Sequence, residues 1–231
     1  MKRYIVANWK CHKTGEEGRH WFDRFATLYR PHPEVQIVIA PSLLSLESLA
    51  AHVRHLVLAN VALAVQDISP FPRGGYTGAV AADMVAGLAK YAIVGHSERR
   101  RYFHETHMDV ANKVAEAIDA RLIPIVCVDS SYALAQLGAL DDTLSEPLLV
   151  AYTPVDAMTA KIAETPARVA ESVGHIQQMF SSWPIIYGGA LLSNNVGKYL
   201  QLPQLAGVFV GEASLDPDIF ADICNQAFPL S

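Results

Sequence analysis

Tyr91-Ala92-Ile93-Val94-Gly95-His96-Ser97-Glu98-Arg99-Arg100 is the stretch whose reading decides the fold. Four apolar residues end on a glycine, and a run rich in charge and helix formers follows, so the stretch reads as the carboxyl end of a strand turning into a helix. Imidazole, hydroxyl, carboxylate and two guanidinium groups crowd together here, and burying them is costly unless they satisfy one another. A histidine placed where free backbone N–H groups open a helix is held toward its neutral form, because the positive end of the helix dipole opposes a second positive charge. Neutral imidazole can donate a hydrogen bond to a ligand oxygen, which is electrophile chemistry. The plainer reading of His96 is a helix cap beside a surface ion-pair network.

Outward from this stretch, short β-rich apolar runs recur at 4–7, 35–40, 63–66, 91–94, 123–128, 148–152, 185–187 and 208–210. Between them lie segments with helical periodicity or start signals, among them 17–29, 43–53 and 109–120. Thr165-Pro166 and Asp216-Pro217 each set a capping residue before a proline at the first helical position. Eight strands alternating with helices predict a parallel sheet closed into one (β/α)₈ barrel, a single domain over residues 1–231. An open doubly wound sheet is the alternative, but no Gly-rich dinucleotide fingerprint opens any of these helices. The thinnest crossover runs from Cys127 to Leu148, with one weak helix at 132–137 and an acidic turn at Asp141-Asp142.

Hydrophobic residues make up 51% of the 231 and charged residues 18%, which predicts a well-buried fold and excludes disorder. A net charge of −5 gives no basic field for nucleic acid or for an anionic membrane, so a small-molecule metabolite is the expected partner. Cys11, Cys127 and Cys224 are widely spaced and in no metal-ligand pattern; a reducing compartment is implied, and neither metal nor cofactor is expected. Cys127 reads as a small apolar packing residue. The apolar stretch near the start is too short for a signal peptide and no run could span a bilayer, so a cytoplasmic location is expected.

A barrel keeps its chemistry where strands end. Those positions hold Asn8 and Lys10, Gln66, His96, Cys127, Thr153, Gly188-Gly189 and Gly211-Glu212. Lys10, two residues beyond Asn8 on the same alternating face, reads as a half-buried cation needing an anionic partner. An acidic or phosphorylated ligand could supply it, or a protein carboxylate, with Glu212 as the candidate.

Together these stretches resemble the triosephosphate isomerase family nearly end to end. Asn8-Trp9-Lys10 is similar to its first-strand motif, with Lys10 at the substrate-binding lysine. In the most specific match, Gly95 to Arg100, His96 falls at the electrophile and Glu98 at the supporting carboxylate. Gln66 followed by Gly74-Gly75-Tyr76-Thr77-Gly78 resembles the third loop, which inserts into a partner subunit, so the resemblance implies a homodimer with Tyr76 and Thr77 in the contact. Gly188, Gly189 and Gly211 match ligand-binding positions. The chemistry implied is a neutral histidine working with a carboxylate base under a closing loop.

The departures fall in the later loops. Where the family carries Tyr-Glu-Pro-Val-Trp, its glutamate being the base, this chain reads Tyr152-Thr153-Pro154-Val155-Asp156. A hydroxyl at Thr153 has no useful basicity near neutral pH. The next stretch, Ala157 to Ile162, lacks the glycines of Ala-Ile-Gly-Thr-Gly-Lys, so positive φ becomes costly in the lid. Ala190 replaces a serine, and Glu212 replaces the second glycine of a phosphate-gripping pair. The expectation is an isomerase-like protein with little or no conventional triose phosphate isomerase activity, retaining Asn8, Lys10, His96 and Glu98, with Lys10 neutralised by Glu212. The alternative is an active aldose–ketose isomerase, on triose phosphate or another hydroxycarbonyl substrate, using Glu212 or Asp156 as a relocated base.

Overall fold

The computed structural model describes residues 2–130, 132–140, 147–180 and 182–228. Each apolar run is a strand: β1 (Arg3–Asn8), β2 (Val35–Ala40), β3 (Val61–Val65), β4 (Tyr91–Val94), β5 (Ile123–Val128), β6 (Leu149–Tyr152), β7 (Ile185–Tyr187) and β8 (Gly207–Val210). All neighbours pair in parallel and in sequence order, and β8 pairs with β1, so the sheet closes into a barrel. The open-sheet alternative is thereby excluded.

The wrapping helices are α1 (Gly15–Leu28), α2 (Leu43–Leu56), α3 (Ala82–Val85), α4 (Ser97–Tyr102), α5 (His107–Asp119), α6 (Ala133–Gly138), α7 (Val155–Ala160), α8 (Pro166–Met179), α9 (Val196–Leu200) and α10 (Pro217–Asn225). Local chemistry fixes their starts. Thr14 and Thr106 form capping boxes with Glu17 and Asp109, each satisfying two otherwise orphaned N–H groups. Thr165 and Asp216 cap α8 and α10 ahead of their prolines. The weak helix expected near 132–137 is α6; the Asp141-Asp142 turn lies outside the described residues. Among the described residues no helix is long and apolar enough to cross a membrane.

Two apolar layers result. Val6, Val38, Ala64, Ile93, Cys127, Ala151, Ile186 and Phe209 fill the barrel. Alternate strand residues pack outward under the helices, where Trp21 and Phe25 of α1 meet Phe220 of α10. One step of two beyond the inward set, the same alternation brings Asn8, Gln66, Asp129, Thr153, Gly188 and Gly211 to the carboxyl-terminal mouth. Gly188 allows a close approach there: a Cβ would stand 2.9 Å from the Phe209 carbonyl oxygen and 3.0 Å from the Thr153 methyl.

Candidate functional site

The mouth opens into a cavity of about 1040 Å³ whose lining includes Lys10, His96, Glu98, Arg100, Asp129, Thr153, Gly188, Gly189, Gly211 and Glu212. β1 ends at Asn8, whose Oδ1 accepts the Lys10 N–H at 3.0 Å. Lys10 then takes a φ of +53°, so it reaches the cavity by a left-handed turn and not by strand alternation. Gln66 holds that turn, its Nε2 donating to the carbonyls of Lys10 (2.8 Å) and Ala40 (2.9 Å).

The anionic partner of Lys10 is Glu98, with Nζ 2.5 Å from Oε1. The expected pairing with Glu212 is corrected. Glu212 begins a 3₁₀ turn after β8 with its side chain 78% exposed, and its carboxylate is 2.8 Å from Lys161 Nζ. Lys161 caps the end of α7 in the left-handed conformation, φ +54°, which carries its side chain across the mouth.

His96 fulfils both of its readings with one ring. It is the N-cap of α4, and Nδ1 accepts the Glu98 backbone N–H at 3.3 Å. That bond makes Nδ1 the acceptor, so the proton of a neutral ring sits on Nε2. Nε2 is buried and has no hydrogen-bond partner among the described residues, although the ring lines the cavity. Burial drives the imidazole pKa down to about 4, with Lys10 and Arg100 pushing the same way against the opposing pull of Glu98. The site therefore presents a neutral N–H donor across the physiological range.

Ion pairs hold α4 in place. Arg99 bridges Asp67 (2.8 Å) and Glu105 (3.3 Å), while the buried Lys113 bridges Asp67 (2.6 Å) and Glu105. Arg100 Nη1 donates to the carbonyls of Gly95 and Cys127, Nη2 lies 2.8 Å from Asp129, and the guanidinium stacks 4.7 Å from the Tyr132 ring centroid. Cys127 is fully buried, and burial raises its thiol pKa to about 12, which suits packing and not nucleophilic work.

The wall formed after β6, β7 and β8 is different. Thr153 is 1% exposed, and its hydroxyl donates to the Val128 carbonyl at 3.3 Å. Asp156 lies in the first turn of α7, exposed and outside the cavity lining. Ala190 holds a φ of +47°, a conformation that favours glycine. Tyr76, within the loop singled out for dimer contact, stacks on Phe71 with centroids 4.6 Å apart; both rings stay partly exposed, as does Thr77.

Sequence reasoning passed over Asp129, Tyr132 and Lys161. Asp129 was within reach of it, standing two residues past the inward Cys127. Met158 and Lys161 gave no signal, because a six-residue helix and its left-handed cap aim them, and neither did Leu192 and Ile219, which come from separate segments of the chain.

The family model described as triosephosphate isomerase matches residues 3–227. Proteins named triosephosphate isomerase are similar over almost the whole chain. That of Mesomycoplasma hyopneumoniae (strain 7448) is 33% identical over 96% of this chain and 98% of its own length. That of Symbiobacterium thermophilum is 34% identical over 96% of each, and that of Chlamydia felis 30% identical over 97% of this chain and 98% of its own.

Proposed function

The chain belongs to the triosephosphate isomerase family, and we propose that it keeps the carbonyl-binding half of that family's site while lacking the carboxylate base. It then interconverts dihydroxyacetone phosphate and glyceraldehyde 3-phosphate slowly or not at all. The observation that carries this is Thr153: the end of β6 presents a buried hydroxyl, already donating to Val128, where the resemblance calls for a carboxylate. Loss of a general base lowers a rate by roughly two to four orders of magnitude. Two further features point the same way. The segment after β6 has no glycine to let its backbone close on a ligand, and Glu212 sets a negative charge where a phosphate would need backbone N–H groups.

A relocated base is the less favoured reading. Asp156 stands outside the cavity, and the carboxylates lining it each face a cation: Glu98 faces Lys10, Asp129 faces Arg100 and Glu212 faces Lys161. The Lys161 ammonium beside Glu212 holds its pKa below the ordinary carboxylate value, which weakens it as a base.

The proposal extends to a cytoplasmic homodimer of a protein acting on a small metabolite. The part-exposed rings of Phe71 and Tyr76 in the third loop support the contact. Sedimentation at micromolar concentration should give a dimer; a monomer would remove that element. For activity, the purified chain is assayed for dihydroxyacetone phosphate isomerisation beside its His96→Gln variant, which reports contaminating host enzyme. Little or no difference between the two is expected, and fast turnover confined to the unsubstituted chain, without the loss of two or more orders of magnitude that a missing base brings, would overturn the proposal.

A further inference from the structure

Three cations lining the cavity already face a carboxylate within 2.8 Å: Lys10 with Glu98, Arg100 with Asp129 and Lys161 with Glu212. Arg101 also lines it, but is exposed with its guanidinium over the Tyr102 ring. Where the loops after β6, β7 and β8 meet, the side chains of Met158, Ala190, Leu191, Leu192 and Ile219 line the wall together with Gly188, Gly189 and Gly211, beside the Lys161–Glu212 pair. A phosphate dianion entering there exchanges water for apolar side chains and a negative carboxylate, a loss of solvation that no unpaired cation on that wall offsets. The opposite wall asks for something else. Nε2 of His96 is a buried donor with no partner among the described residues, and a neutral carbonyl oxygen satisfies it without bringing charge.

We propose that the cavity selects an uncharged hydroxycarbonyl compound over its phosphate ester, and that Glu212, held by Lys161, sets this preference. The inference rests on the carbonyl-binding reading above and adds the charge of the ligand. A charge of −1 facing a dianion about 6 Å away in water-like screening corresponds to about a tenfold change in affinity. Both side chains of the pair are more than 70% exposed, so substituting them leaves the fold intact.

The test is an NMR titration of the unsubstituted chain and three variants, Glu212→Gln, Lys161→Met and His96→Gln, with dihydroxyacetone and with dihydroxyacetone phosphate as probes. The unsubstituted chain should bind dihydroxyacetone at least as tightly as the ester. Glu212→Gln should shift the ratio about tenfold toward the ester, and Lys161→Met should shift it the other way. A preference for the ester that Glu212→Gln leaves unchanged overturns the inference. If that ester binding still disappears in His96→Gln, the charge preference fails while the carbonyl site stands. If neither compound binds, both fail.

Discussion

The two sides of the barrel mouth rest on one sheet and are organised differently. On the side of β1 to β4, a left-handed turn at Lys10, a Gln66 clamp and an ion-paired α4 aim a lysine, a carboxylate and a neutral imidazole donor into one cavity. On the side of β6 to β8 stand a hydroxyl bonded to its neighbouring strand, a glycine-free segment and an exposed lysine–glutamate pair. Under the proposed function, the contrast separates polarising a carbonyl, assigned to the first side, from taking a proton from the adjacent carbon, which the second side would have to supply. A closed barrel lets one be altered while the other keeps its geometry, because each loop hangs from its own strand.

The strongest way to break the contrast is to give the second side its carboxylate. Under the proposed function, Thr153→Glu should raise dihydroxyacetone phosphate isomerisation by about two orders of magnitude, the lower end of what a general base contributes, because the glycine-free segment after β6 and the Glu212 carboxylate stay in place. An unchanged rate would show that the second side lacks more than its base.

The first side can be sharpened from beneath. Lys113→Met leaves Asp67 and Glu105 sharing Arg99 alone in a buried cluster, and denaturant unfolding should show a loss of about 3–5 kcal/mol. A smaller loss would mean that water reaches the cluster.

His96 ties the same side to pH. Its pKa falls from the usual 6.5 to about 4 on folding, so the unfolded chain binds the proton more readily between those values. Its contribution is therefore complete above about pH 6.5 and is lost as the pH falls toward 4, at most about 3 kcal/mol. Comparing unfolding curves of the unsubstituted chain and His96→Gln across that window should show a flatter pH dependence in the variant. Parallel curves would place the titration elsewhere.

The smallest effect belongs to the exposed pair. Lys161→Met should leave the melting temperature unchanged, since solvent screens such contacts; a clear drop would show that the two loops depend on the bridge.

The strands were legible because fully buried parallel strands appear as continuous apolar runs. The expected bounds of β2, β4, β5 and β7 match the structure end to end. β3 starts earlier, at Val61, and stops at Val65, because Gln66 turns away to clamp Lys10. His96 and Thr153, just past the ends of β4 and β6, line the cavity, as do Lys10 and Glu98 by way of a left-handed turn and a helix; Asn8 lines a smaller neighbouring pocket that shares Lys10 and Glu212. The partner of Lys10 was not legible, because the pair is 88 residues apart and joined only by the backbone turn at Lys10 and the placement of α4. Helices of four to six residues, such as α3 and α7, are too short to show a period.

The separation of carbonyl binding from proton transfer is tested most directly by incubating the protein with dihydroxyacetone phosphate in heavy water and following carbon-bound deuterium by NMR. With a donor at His96 and no base at Thr153, uptake should not exceed that of the His96→Gln variant. Deuterium entering the carbon next to the carbonyl with the unsubstituted chain, and not with the variant, would contradict it and establish a working base in the cavity.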